Sequence, residues 1–205
     1  MMKQWGIVKK VISSVCVGAA IFGLVSTSAN AETLYFEGGL GSAVQTIPHT
    51  GFNNTTESHV SSRIAVGYSQ PIAMEMEGGL EVGYTNFGDA TFQYTNTDEY
   101  KVRGSSVDLA GKVYYRVDEL WSMFGKAGMA YMMSDVTDAS TNTKTDDGAF
   151  KPLVGVGVRY SLDEALSLQA SVTHYFGDKS VNADNTNEFV PVVDNFMFSI
   201  HYEFY

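Results

Sequence analysis

A single cysteine, Cys16, is all the thiol chemistry this sequence holds. Its surroundings take even that from the working protein. Lys3, Lys9 and Lys10 form a basic head, Val11 to about Val25 is apolar, and Ala29-Asn30-Ala31 has the small-x-small form of a signal-peptidase site. A spanning helix needs about 20 apolar residues, and this run is shorter and interrupted by Ser13 and Ser14. Residues 1–31 are therefore predicted to be a signal peptide, cleaved after about Ala31, rather than a retained anchor. A lipoprotein would need a small residue directly before its cysteine, and Val15 breaks that pattern. Without Cys16, residues 32–205 have neither a disulfide framework nor a catalytic thiol. That agrees with export all the same, because a barrel closed by backbone hydrogen bonds needs no staples.

Two further scarcities narrow the field. No segment after Ala31 approaches the length of a transmembrane helix, so a membrane location would have to be reached with strands. Positive charge is also short. The chain has 13 basic against 23 acidic residues, and three of the basic ones lie in the signal. A mature charge near −13 follows, and it argues against nucleic acid as a partner.

What is present after Ala31 alternates between two textures. One is a period-2 pattern rich in Gly, Tyr, Val and Phe; the other is rich in Asn, Thr, Asp and Ser and has no period. Strands are expected at 33–43, 61–70, 75–87, 104–117, 120–133, 150–162, 165–176 and 193–204. The connections near 44–60, 88–103, 134–149 and 177–192 read as long and polar. Those near Gln70–Met74, Val117–Leu120 and Leu162–Ala165 read as very short. Long-short alternation with both termini on the short-turn side predicts an all-β fold, an eight-stranded antiparallel up-and-down transmembrane β-barrel. A β-sandwich would have no reason to sort its loops in this way.

The apolar faces of the strands carry Leu80, Val82 and Tyr84, then Val107, Leu109, Val113 and Tyr115. They continue with Val154, Val156, Val158 and Tyr160, and with Phe196, Phe198, Ile200, Tyr202 and Phe204. The opposite faces mix charges with Gly, Ala and Ser, which suits a cramped interior. Tyr68, Tyr115, Trp121, Tyr160 and Phe204 fall near the short-turn ends, and Tyr84, Tyr131, Phe176 and Phe196 near the long-loop ends. Two such bands predict the aromatic girdles of a bilayer-spanning barrel. The competing reading is a lipocalin-like carrier, with its apolar face turned inward around a ligand.

Several of these segments resemble known ones. Gly79-Leu80-Glu81-Val82-Gly83-Tyr84 with Phe87-Gly88-Asp89 is similar to the third-strand segment of OmpA-like and opacity-type small outer-membrane β-barrels. Asp108-Leu109-Ala110-Gly111-Lys112, Gly155 to Leu162, and the closing Ile200-His201-Tyr202-Glu203-Phe204 are similar to other parts of that family. The resemblance runs from about Glu32 to the end. It implies location in the cell outer membrane, contact with outer-membrane lipid and lipopolysaccharide, and insertion by the barrel-assembly machinery, which reads a terminal aromatic. Phe204 is in phase for that signal, with Tyr205 one residue beyond it. Many such proteins carry a peptidoglycan-binding domain after the barrel; this sequence ends at the barrel, so that role is not expected.

The charges on the inward faces are the most informative constellation. Glu81, Lys112 and Lys126 are placed at similar heights on three consecutive strands, with Glu37 and Arg159 somewhat lower. An eight-stranded lumen holds only side chains, and unpaired ions there cost several kcal/mol each, so these five are expected to form an interior network. In the OmpA pattern Glu81 and Lys112 match two network positions. At two others, Arg159 and Gln169 stand where the family has an acid and an arginine. A polar plug is the plainer reading and a gated narrow ion path the sharper one.

An enzyme is the alternative class, because small outer-membrane barrels include lipid A deacylases and palmitoyltransferases. Of His49, His59, His174 and His201, none shows a His-x-Ser signature or a partner at diagnostic spacing, so no catalytic residue is assigned. The acids of the long connections, among them Asp135, Asp138, Asp146, Asp147, Asp184 and Glu188, lack calcium-loop spacing. No metal or cofactor is expected. The functional expectation is a non-enzymatic barrel that supports the envelope, with loops that contact host or environmental surfaces.

Overall fold

The computed structural model describes residues 33–46, 56–94, 98–138, 144–178 and 190–204. The predicted signal peptide, His49 and Tyr205 lie outside the described residues. Eight strands follow one another: β1 (Thr33–Thr46), β2 (Thr56–Ala73), β3 (Met76–Tyr94), β4 (Asp98–Arg116), β5 (Trp121–Asp138), β6 (Lys144–Ser161), β7 (Leu166–Tyr175) and β8 (Val192–Phe204). Each pairs antiparallel with the next, and β1 pairs with β8, which closes the barrel and leaves no sheet edge around its wall.

The short turns form where the sequence supplies local acceptors. Asp118 Oδ1 accepts the N–H groups of Leu120 and Trp121 at 2.8 and 2.7 Å. Asp163 Oδ1 accepts those of Ala165 and Leu166 at the same two distances. A side chain that bonds the backbone two and three residues on is the mechanism by which aspartate favours a tight reversal. The third short turn lies at Met74–Glu75, because β2 runs on through Pro71 to Ala73.

Alternation decides which face looks where. On β8 the buried residues are Val193, Asn195, Met197, Ser199 and His201, while Phe196, Phe198, Ile200, Tyr202 and Phe204 are exposed. The same split places Leu40, Ile64, Leu80, Leu109, Met129 and Val156 outside. Asp194 is the outward residue above Phe196. From Asp194 to Phe204 a strand rising about 3.3 Å per residue and tilted by about 40° climbs about 25 Å, the height of a bilayer-facing apolar band. Among the described residues, no Asp, Glu, Lys or Arg points outward between these two levels. The lipocalin-like arrangement is thereby excluded, since the apolar face is the outer one.

The connections expected at 88–103 and 134–149 are largely strand. β3 and β4 stay paired from Met76↔Tyr115 up to Tyr94↔Asp98, and β5 with β6 up to Thr137↔Lys144. Likewise β1 and β2 stay paired up to Thr46↔Thr56, inside the connection expected at 44–60. Along these stretches the backbone ladder continues, while the period-2 apolar signal that marks a strand in sequence is missing. A bulge adds to the difference. Asn86 pairs with Ser105 and Gly88 with Gly104, so Phe87 is an extra residue and its ring turns inward. Gly88 follows with φ of 82°, a conformation that L side chains rarely adopt, and its N–H donates to Asn86 Oδ1 at 2.8 Å.

Candidate functional site

The lumen is filled in layers, beginning at the short-turn end. There a vestibule of about 610 Å3 opens between Glu77, Arg116, Ser122, Arg159, Ser167 and Glu203. Its inner limit is Arg159, whose Nη1 donates to Glu203 at 3.0 Å and Nη2 to Glu77 at 3.3 Å. The guanidinium carbon lies 4.3 Å from the Tyr114 ring centre. Next comes an aromatic layer of tilted ring pairs: Tyr35 and His201 have ring centres 4.4 Å apart, and Tyr114 and Phe124 5.3 Å. Tyr35 fits because Gly67 faces it; a methyl group at Gly67 would lie 2.1 Å from Tyr35 Cζ.

Above the rings sits Lys112. Its Nζ donates to Glu37 at 2.9 Å, to Glu81 at 3.0 Å and to Gln169 at 3.3 Å. The ammonium also lies 4.5 Å from the centre of the Phe124 ring, within cation–π range. Glu81 is fully buried (0 % exposed) and is the hub of the network. One oxygen accepts from Lys112 and from Tyr35 Oη at 3.1 Å, and the other accepts from Arg63 Nη2 at 2.8 Å. Lys126 Nζ stands 3.9 Å from Glu81. Arg63 also grips Asp108 with both amino groups, at 2.6 and 2.8 Å, the forked geometry that only arginine offers a carboxylate. Gly83 leaves room for this guanidinium, since a methyl group there would meet Arg63 Nη2 at 2.2 Å.

All five predicted interior residues are thus inside, although they divide differently from the expectation. Glu37 reaches the Lys112–Glu81 level, while Arg159 belongs to a separate cluster with Glu77 and Glu203. Two members went unassigned: Arg63, and Asp108, which the alternation alone puts on an inward face. With them the central cluster holds three cations (Arg63, Lys112, Lys126) and three carboxylates (Glu37, Glu81, Asp108). Towards the long-strand end the lumen carries an apolar cluster among buried, uncharged polar side chains such as Gln45, Thr85 and Ser106. Phe87, Met132, Leu153, Tyr175, Val190 and Val193 pack there, with Phe87 edge-on to Tyr175 at 5.0 Å.

The five residues expected in the lower girdle share one end of the barrel. Tyr68 and Phe204 both flank Leu34 in register, Tyr115 pairs with Met76, and Trp121 pairs with Tyr160 with ring centres 4.9 Å apart. The histidines separate by face. His201 is buried in the lumen, with Nε2 3.2 Å from Glu203 Oε1. His174 lies on the outer surface, its Nδ1 2.6 Å from Asp194 Oδ1 on the adjacent strand. That partner was not foreseen, because the pairing arises from β7–β8 register rather than from sequence spacing. The outward neighbours of the pair are Val154, Val44, Phe196 and Phe176, and none is a nucleophile.

Comparison with known proteins agrees with this architecture. A family model described as the OmpA-like transmembrane domain matches residues 29–205. An uncharacterized protein of Haemophilus influenzae is 25 % identical over 154 residues, covering 73 % of this chain and 82 % of that protein. One from Coxiella burnetii is 23 % identical, covering 91 % and 83 %. Among solved structures, Neisserial surface protein A superposes with a TM-score of 0.58 at 14 % identity, over 83 % of this chain and 97 % of its own. Ail, the attachment invasion locus protein of Yersinia pestis, gives 0.55 at 14 % identity, over 85 % and 99 %. At such identities these two structures share the fold.

Proposed function

Because the chain belongs to the OmpA-like transmembrane domain family, we propose that it is a closed, non-enzymatic barrel of the cell outer membrane that reinforces the envelope and presents its long-strand end to the surroundings. The observation that carries this reading is the filled lumen, in which a balanced charge cluster lies beneath an uncharged, packed layer around Phe87 and Tyr175. A side-chain-filled interior of this width is a packed core rather than a pore. Planar-bilayer recording of refolded protein tests it: only the baseline membrane current is expected, and steady openings of porin size would refute it.

In this reading residues 1–31 are removed on export and the barrel-assembly machinery inserts residues 32–205 through the terminal β8 aromatic. The short turns face the periplasm and the extended ends of β2 to β6 face outward, amid lipopolysaccharide. Protease treatment of intact cells checks the orientation. Cuts are expected beyond the apolar band, near 47–55, 95–97, 139–143 and 179–189, and a cut at Leu162–Ala165 would reverse it. Contact with a host or environmental surface is assigned to that outer end. Ail has been solved with a heparin analogue, sucrose octasulfate. A mature chain with a net charge near −13 repels such a polyanion, so a neutral or basic surface is the ligand class this charge favours.

A further inference from the structure

The outer wall has a dent that the chain does not fill. Outward glycines elsewhere are covered by a neighbouring side chain: a methyl group added at Gly38 would meet Phe36 at 3.4 Å, at Gly78 Ile72 at 3.2 Å, and at Gly148 the Tyr131 ring carbon at 2.8 Å. At Gly125 the nearest atom is the Gly155 carbonyl oxygen, 4.0 Å away, and at Gly111 it is the Ala127 carbonyl oxygen at 3.9 Å. Register sets Gly125 between Val113 and Val156, and Gly111 beside Ala127 one step higher. Around Gly125 the wall forms an apolar groove of about 360 Å3 bounded by Val113, Tyr115, Met123, Val156 and Val158. This lies within the size range of ligand cavities, roughly 300–1,000 Å3.

Position identifies what can enter. Gly125 is two outward residues above Trp121, so it stands about 10 Å into the apolar band from the short-turn girdle. The groove is continuous with the surface that meets hydrocarbon. Left empty, its walls would forgo their dispersion contacts. Another barrel is convex and would rest on Met123 and Tyr115, exposed 56 % and 49 %, before it reached the backbone at Gly125. A single flexible chain is narrow enough to lie between them.

We propose that this groove seats one acyl chain of a phospholipid in a fixed position, with its headgroup at the Tyr115–Trp121–Tyr160 girdle. The proposal rests on the membrane placement given above, with the short turns on the phospholipid-rich inner leaflet. The test uses residues 32–205 refolded into phosphatidylethanolamine–phosphatidylglycerol vesicles, a fraction of whose acyl chains carry a mid-chain diazirine. After irradiation, adducts are mapped by mass spectrometry. Adducts at Val113, Met123 and Val156 are expected to exceed those at the equally outward Leu40, Phe198 and Ile200 by about threefold or more, and Gly125→Leu is expected to remove the excess.

Equal labelling of the two walls in the unaltered protein would overturn the groove while leaving the membrane barrel standing. Absence of adducts from both walls would overturn the membrane placement itself. Loss of the excess at high protein-to-lipid ratio, with dimers in native mass spectrometry, would assign the groove to a second copy and overturn the proposal. The comparison of walls needs no variant, so it holds even where Gly125→Leu fails to fold.

Discussion

Replacing Glu81 with glutamine changes almost nothing in shape and one thing in charge. Its two oxygens face Arg63 at 2.8 Å, Lys112 at 3.0 Å and Lys126 at 3.9 Å. In the variant Arg63 keeps Asp108 and Lys112 keeps Glu37, but Lys126 loses the carboxylate it faces, and the central cluster becomes three cations against two carboxylates. Breaking a buried ion pair from one side typically costs about 3–5 kcal/mol, because an uncompensated charge stays in the interior. With a urea dependence of about 2 kcal/mol per molar, the unfolding midpoint of refolded protein should fall by roughly 2 M. The double variant Glu81→Gln/Lys126→Met restores the balance and is expected to recover at least half of that loss, a coupling that only interacting groups show. An E81Q midpoint within about 0.25 M of the parent, equivalent to about 0.5 kcal/mol, would refute the reasoning and mean that the lumen is wet enough to screen these charges.

Three other outcomes follow from the same structure. Phe87→Ala removes the ring that packs on Tyr175 beneath the long-strand end, so it should cost about 3–5 kcal/mol by urea titration and raise single-channel activity above baseline. Leu109→Arg puts a charge on the lipid face of β4 and is expected to cost about 2–4 kcal/mol in vesicle unfolding. Trp121 is the only tryptophan after the predicted signal peptide. Its fluorescence should be quenched most by lipids brominated near the headgroup and least by those brominated at the chain end.

Much of the barrel was legible because a wall with lipid on one side and packed side chains on the other imposes a period of two on its strands. That is why Leu80, Leu109, Val156 and Ile200 declared their outward faces, and why the charges at Glu37, Glu81, Lys112, Lys126 and Arg159 declared themselves inward. The signal failed where its physical cause failed. Above the band the lipid-facing side of β3 to β6 ends and its apolar alternation with it, so 98–103 and 134–138 look like loop while their backbones remain paired. Phe87 breaks phase because a bulge inserts it. Arg63 is flanked on its own face only by Ser61 and Ala65, and its partners Glu81 and Asp108 come from β3 and β4 through tertiary register. His174 and Asp194 are twenty residues apart and meet only once β7 and β8 are aligned.

The central claim is that this wall turns its apolar face to lipid and its charged face to a sealed lumen. Cys16 is the chain's only cysteine, so single cysteines can be placed at each position from 195 to 204 of residues 32–205 and spin-labelled in vesicles. The account predicts a strict period of two: labels at 196, 198, 200, 202 and 204 relaxed by membrane-dissolved oxygen, and those at 195, 197, 199 and 201 reached neither by oxygen nor by a water-soluble nickel reagent. Oxygen access in the opposite phase, or nickel access at 197 and 199, would contradict it.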